Sequence, residues 1–105
     1  MIGRIKDMII SGGENVYPAE IESVLMAHPD VAEAVVIGVP DDKWGEVGWA
    51  VVVAKGQITA EALTIFMSDR LAKYKVPKNV VFVDAIPKTA VGKIDKKAVA
   101  QKVLS

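Results

Sequence analysis

The chain has 105 residues, a length that favours a single domain with a hydrophobic core of its own. Hydrophobic residues make up 51% and charged residues 25%, and the absence of cysteine beside a single histidine argues against disulfide, thiolate and transition-metal chemistry. Net charge is zero, but residues 1–54 sum to −6 and residues 55–105 to +6, so either the C-terminal half meets an anion or the halves interleave in the fold.

The N-terminal elements are predicted from a change in hydrophobic period. Residues 8–17 predict a β-hairpin, because two short apolar runs flank a pair of glycines. From Pro18, apolar residues recur at helical spacing until Pro29, and His28 falls in the last turn, which suits the helix dipole. Residues 31–39 are apolar on both faces, which predicts a central strand.

The second half predicts two more strands and two more helices. Residues 48–54 form the second strand, near enough to the first to pair with it antiparallel. Thr59 is a good N-cap for a helix, residues 80–83 form the third strand, and a last helix starts near Asp95. The apolar face of the middle helix consists of Leu63, Phe66, Met67 and Leu71. We therefore expect an α+β domain: a small three-stranded, mainly antiparallel sheet flanked by helices, with the hairpin at its margin.

A loop near the C-terminus has the strongest chemical pattern. It runs from Pro87 to Lys93, between the third strand and the last helix. Pro87 stiffens its entry and Gly92 permits a tight turn, so Lys93 is presented at the tip. Such a cation suits charge developing on a phosphate or carboxylate. A solvated surface lysine accounts for the same residues. The loop is not a Walker A motif, because its spacing and final residue differ.

Other stretches are weaker signals when taken singly. Gly12 and Gly13 allow close approach of a ligand, although hairpin turns use such glycines more often. Trp44 lies in a polar turn after Asp41 and Asp42 and could stack on a base or cap the sheet edge. The segment of residues 74–78 places an aromatic beside lysines, as phosphate sites and ordinary solvated loops both do. No metal site is predicted.

Together and in this order, these stretches resemble the C-terminal lid domain of the acyl-adenylate-forming enzymes, the AMP-binding superfamily. The likeness is greatest to the fatty-acyl-CoA synthetases. Residues 3–7 match the hinge motif, residues 11–22 the segment after it, and residues 87–93 the catalytic-lysine loop. The resemblance covers essentially the whole chain.

The resemblance implies a mechanism and a role for each residue. A large N-terminal domain binds ATP, Mg²⁺ and a carboxylic acid; the lid first promotes acyl-adenylate formation and then turns to admit coenzyme A. Lys93 matches the adenylation lysine and Lys6 the hinge residue. The matches to the coenzyme A side are Gly12, Gly13, Trp44, Tyr74 and Lys78. Val76 stands where some relatives carry a basic residue.

We therefore expect a domain excised from a larger two-domain acid–CoA ligase of fatty acid metabolism, inactive alone, with its hinge near residues 4–7. Its expected partners are the N-terminal domain, ATP, fatty acid and coenzyme A, without nucleic acid. The location expected by default is cytoplasmic, without a transmembrane segment. One alternative is the lid of an aryl-CoA ligase or a peptide-synthetase adenylation domain. Another is a small nucleic-acid-binding or interaction module.

Overall fold

The structure is a computed structural model that describes residues 9–11, 14–43 and 45–104. Strands β1 and β2 form a two-stranded antiparallel hairpin, and β3, β4 and β5 form a three-stranded sheet. In chain order the elements are β1 Ile9–Ser11, β2 Glu14–Val16, α1 Pro18–Met26, β3 Val31–Asp41, β4 Gly45–Ala54, α2 Ala60–Ser68, β5 Asn79–Phe82 and α3 Lys96–Leu104.

The sheet has the order β3-β4-β5, with an antiparallel first pair and a parallel second pair. The crossover through α2 makes the parallel pair possible, because parallel neighbours need a long connection. The predicted α+β class with a mainly antiparallel sheet is confirmed. The prediction that residues 31–39 form a central strand is wrong: within the described chain β3 lies at an edge and β4 at the centre.

Strand β3 is apolar on both faces, although it lies at an edge, because the sheet is covered on both faces. Neighbouring residues of β3 alternate between two cores, so an edge strand can be apolar on both sides. One core lies under the hairpin, α1 and α2 and includes Val36, whereas the other lies under α3 and includes Val35. The backbone N–H of Val36 donates to the Glu22 carboxylate of α1 at 2.9 Å, which satisfies one donor on this strand.

The helix boundaries follow local chemistry. The Thr59 hydroxyl accepts the N–H of Ala62 at 3.0 Å, which confirms the predicted cap of α2. Asp95 caps α3 by accepting the N–H of Ala98 at 3.1 Å. Helix α1 ends at Met26, so His28 lies beyond its last turn, and its Nδ1 accepts the N–H of Asp30 rather than completing the helix.

The predicted apolar face of α2 is largely core. Leu63 and Met67 are fully buried, and Leu71 is buried just beyond the helix. Phe66 lies at the margin, only partly buried, between the His28 ring and the Arg70 guanidinium. A ring at the edge of a core accommodates such a cation without desolvating it fully.

Candidate active-site loop

The loop that bears Lys93 is a closed turn rather than an open excursion. Lys88 and Ile94 form an isolated antiparallel bridge at its base. Inside that bridge, the N–H of Thr89 donates to the carbonyl of Lys93 at 2.7 Å, and the Thr89 hydroxyl accepts the N–H of Lys93 at 3.3 Å. Thr89 therefore holds both backbone groups of the lysine.

The turn at the tip depends on Gly92. Its φ is +86°, and its N–H donates to the carbonyl of Thr89 at 2.9 Å. That φ lies in the region that residues with a Cβ rarely adopt. The preceding residue, Val91, is 79% exposed, so the tip stands clear of the domain.

Lys93 itself is exposed. Among the residues that the structure describes, no carboxylate forms an ion pair with its ammonium group. Lys88, five residues earlier in the same loop, pairs with Glu33 at 2.5 Å. Within the described residues, the loop therefore carries one lysine neutralised by Glu33 and one exposed lysine without an ion-pair partner.

Tyr74 and Lys78, predicted to face coenzyme A, lie in the segment before β5. Tyr74 is 46% exposed in a short 3₁₀ turn, Lys73–Lys75. Lys78 is exposed, and its N–H donates to the carbonyl of Gly48 at 2.8 Å, which fixes the start of β5 against β4. An aromatic ring and a cation on one short segment can contact a base and a phosphate.

The neighbouring Lys75 is committed to the fold. Its ammonium pairs with Glu20 of α1 at 2.9 Å, and this hydrogen bond raises the pKa of Lys75 above its ordinary value, partly offset by desolvation. Because the Lys75 ammonium is held by Glu20 of α1, it is less available to an external anion.

Four predicted site residues lie outside the described residues: Lys6, Gly12, Gly13 and Trp44. The strand that precedes the two glycines is tied to the sheet, because the N–H of Ile10 donates to the Glu46 carboxylate at 3.4 Å. Asp41, which precedes Trp44 in the polar turn, accepts the N–H of Lys43 at 2.8 Å. The described ranges contain no group of three His, Cys, Asp or Glu side chains that could hold a metal.

Sequence reasoning missed two positions at this site. Thr89 and Glu33 both act on the loop through contacts, and Glu33 is 55 residues from its partner Lys88. Thr89 was visible as part of the loop motif, whereas no local signal points to Glu33.

In the described ranges, no helix has both the length and the apolar character needed to cross a membrane.

The family model for the AMP-binding enzyme C-terminal domain matches residues 20–93, from α1 to the exposed lysine. The chain belongs to this family. The resemblance drawn from the sequence is thus confirmed at the level of the family.

Similar proteins include two ligases. The long-chain-fatty-acid–CoA ligase FadD13 of Mycobacterium tuberculosis is 55% identical over 94 residues, which cover 89% of this chain and 19% of that protein. The 2-succinylbenzoate–CoA ligase of Bacillus cereus is 50% identical over 103 residues, which cover 98% of this chain and 21% of that protein. This AMP-binding C-terminal domain therefore spans about a fifth of the length of these curated relatives.

A solved structure agrees with the fold. The fatty acyl CoA synthetase of Mycobacterium tuberculosis superposes with a TM-score of 0.90 at 52% identity, over 94% of this chain and 20% of that one. The fold of this chain therefore matches that of acyl-CoA synthetase C-terminal domains.

Proposed function

We propose that this AMP-binding C-terminal domain is the lid of an acid–CoA ligase, which activates a carboxylic acid with ATP to an acyl-adenylate and then transfers the acyl group to coenzyme A. The observation that carries the proposal is the exposed Lys93, unpaired among the described residues on a loop that is closed at its base. A positive charge placed near the α-phosphate and the attacking carboxylate lowers their repulsion and stabilises the charge that develops in transfer.

The remaining site residues have proposed roles in the second step and in the swing between steps. Tyr74 and Lys78 supply an exposed ring and cation toward coenzyme A, together with Gly12, Gly13 and Trp44, and Lys6 is the proposed hinge. Mg²⁺ and ATP would be held mainly by a large N-terminal domain of the same enzyme. The cytoplasm remains the proposed location.

A fatty acid is the proposed substrate. The identity to FadD13 and to the fatty acyl CoA synthetase supports it. An aryl-type acid is the alternative, supported by the nearly equal identity to 2-succinylbenzoate–CoA ligases. Assaying the full-length enzyme that carries this chain with a long-chain fatty acid and with 2-succinylbenzoate separates the two.

Replacing Lys93 by alanine in that full-length enzyme tests the central proposal. We expect the rate of adenylation, measured by pyrophosphate exchange, to fall on the order of 100- to 1000-fold, because Lys93 acts as a preorganised electrostatic group. Thioester formation from a supplied acyl-adenylate should be retained.

The matched control is Lys97→Ala, which removes an exposed lysine from α3 four residues further along. It should leave both steps unchanged. Intact adenylation in Lys93→Ala would instead favour an interaction domain that keeps only the fold. The isolated 105-residue chain, given ATP, magnesium, fatty acid and coenzyme A, should form no acyl-CoA above background.

A further inference from the structure

We propose that Glu33 and Lys88 act as an anchor that holds the Lys93 loop on the sheet, so that both are positioning residues for adenylation. This inference rests on the proposed function of Lys93.

The anchor joins the base of the loop to an edge strand. The Lys88 ammonium donates to Oε2 of Glu33 at 2.5 Å, and both side chains remain about 40% exposed. Glu33 lies where the pairing of β3 with β4 shifts register, since Val31 faces Ala54 and Glu33 faces Val53. Such a bulge turns a side chain away from the regular alternation of the strand.

The position of Lys88 determines what the anchor controls. Lys88 forms the bridge with Ile94, which directly follows Lys93. The next residue, Thr89, bonds both the N–H and the carbonyl of Lys93. Fixing Lys88 therefore fixes the two backbone segments on either side of Lys93, and the long lysine side chain starts from a defined point.

A pair this exposed stabilises the fold very little. A displacement of about 1 Å in a catalytic group can nevertheless cost up to about 100-fold in rate. The anchor should therefore affect kinetics more than stability. Its effect should be confined to adenylation, because thioester formation does not use Lys93 in the proposed mechanism.

The kinetic test uses the full-length enzyme with Glu33→Gln, Lys88→Met, the double variant and Lys88→Arg. We expect each single loss to lower kcat for pyrophosphate exchange about fivefold, the most that an exposed ion pair supplies. KM for ATP and thioester formation from acyl-adenylate should not change.

Three comparisons separate positioning from general damage. The double variant should be no slower than either single variant, because both remove the same interaction, and Lys88→Arg should retain most of the activity. Glu20→Gln breaks the Lys75–Glu20 pair and should leave adenylation unchanged. Additive losses in the double variant, or an equal fall in both steps, would overturn the anchor.

A spectroscopic readout on the 105-residue chain does not depend on ligase activity. We expect the NMR order parameter of the Lys93 amide to fall from about 0.85 toward about 0.6 in Glu33→Gln and Lys88→Met, but not in Glu20→Gln. An unchanged order parameter would contradict the anchor. If Lys93→Ala keeps its adenylation activity while the anchor variants lower the order parameter of the Lys93 amide, the proposed function is rejected. The anchor then remains as a property of the loop.

Discussion

Gly92 offers a test in which the cost of a single methyl group arises from the backbone alone. Its φ is +86°, and a Cβ added there would meet no atom within 4 Å. A left-handed conformation costs a residue with a Cβ about 1–2 kcal/mol. Alanine also reduces the conformational entropy of the unfolded chain, which stabilises the folded state by about 0.4–1 kcal/mol. Gly92→Ala should therefore lower the free energy of unfolding by about 1 kcal/mol, or about 5 °C in Tm for a domain of this size.

Gly45 supplies a matched control in the same chain. Its φ is +83°, and a Cβ there would also meet no atom within 4 Å. Gly45→Ala should show the same loss in thermal unfolding as Gly92→Ala. Only Gly92→Ala alters the residue directly before Lys93, so only this variant should slow pyrophosphate exchange in the full-length enzyme, by about tenfold.

The two measurements can refute the reasoning separately. If neither variant lowers Tm, the left-handed geometry is not required at these turns. If both variants slow adenylation equally, the loss comes from general destabilisation, and the geometry of the Lys93 loop is not what adenylation depends on.

Three further predictions concern stability and pH. The pKa of Lys75 should exceed its ordinary value of 10.5 in an NMR titration and return to it in Glu20→Gln; because the folded pKa is raised, the pair stabilises the fold below pH 10.5 and this contribution is lost as pH rises past the raised pKa. Asp95→Ala should cost about 1 kcal/mol in chemical denaturation by removing the cap of α3, whereas Asp95→Asn should cost little; equal losses would contradict a capping role. Met67→Ala should cost about 2–5 kcal/mol by opening a cavity, while Ile65→Ala, at a position 58% exposed on the same helix, should change stability by less than about 1 kcal/mol in the same denaturant titration.

Local chemistry made most elements predictable. Pro18 at the start of α1 and the Thr59 cap of α2 act on neighbouring residues, so a short stretch of sequence is enough to predict where each helix starts. Lys93 could be singled out for the same reason, since the proline and glycine around it define the loop. The roles of Lys6, Gly12, Gly13 and Trp44 remain predictions, as these residues lie outside the described part of the chain.

Errors arose where the answer depends on distant segments. An apolar run such as residues 31–39 reports that both faces of a strand are covered, but it carries no information on how many strands lie beside it. The edge position of β3 and the parallel pairing of β4 with β5 therefore came only from the structure. His28 shows the same limit on a smaller scale, because the helix ends at Met26, two residues before it.

The sequence by itself determined the α+β class, the Thr59 cap and the loop that carries Lys93, because these depend on backbone preferences within a few residues. Only the tertiary structure decided which charges are neutralised. The sequence does not distinguish the ion pairing of Lys88 and Lys93, two lysines of one loop. In the structure, Glu33 contacts Lys88 across 55 residues of chain, and Lys93 stays exposed. Electrostatic energy depends on distance in space, and chain folding sets that distance.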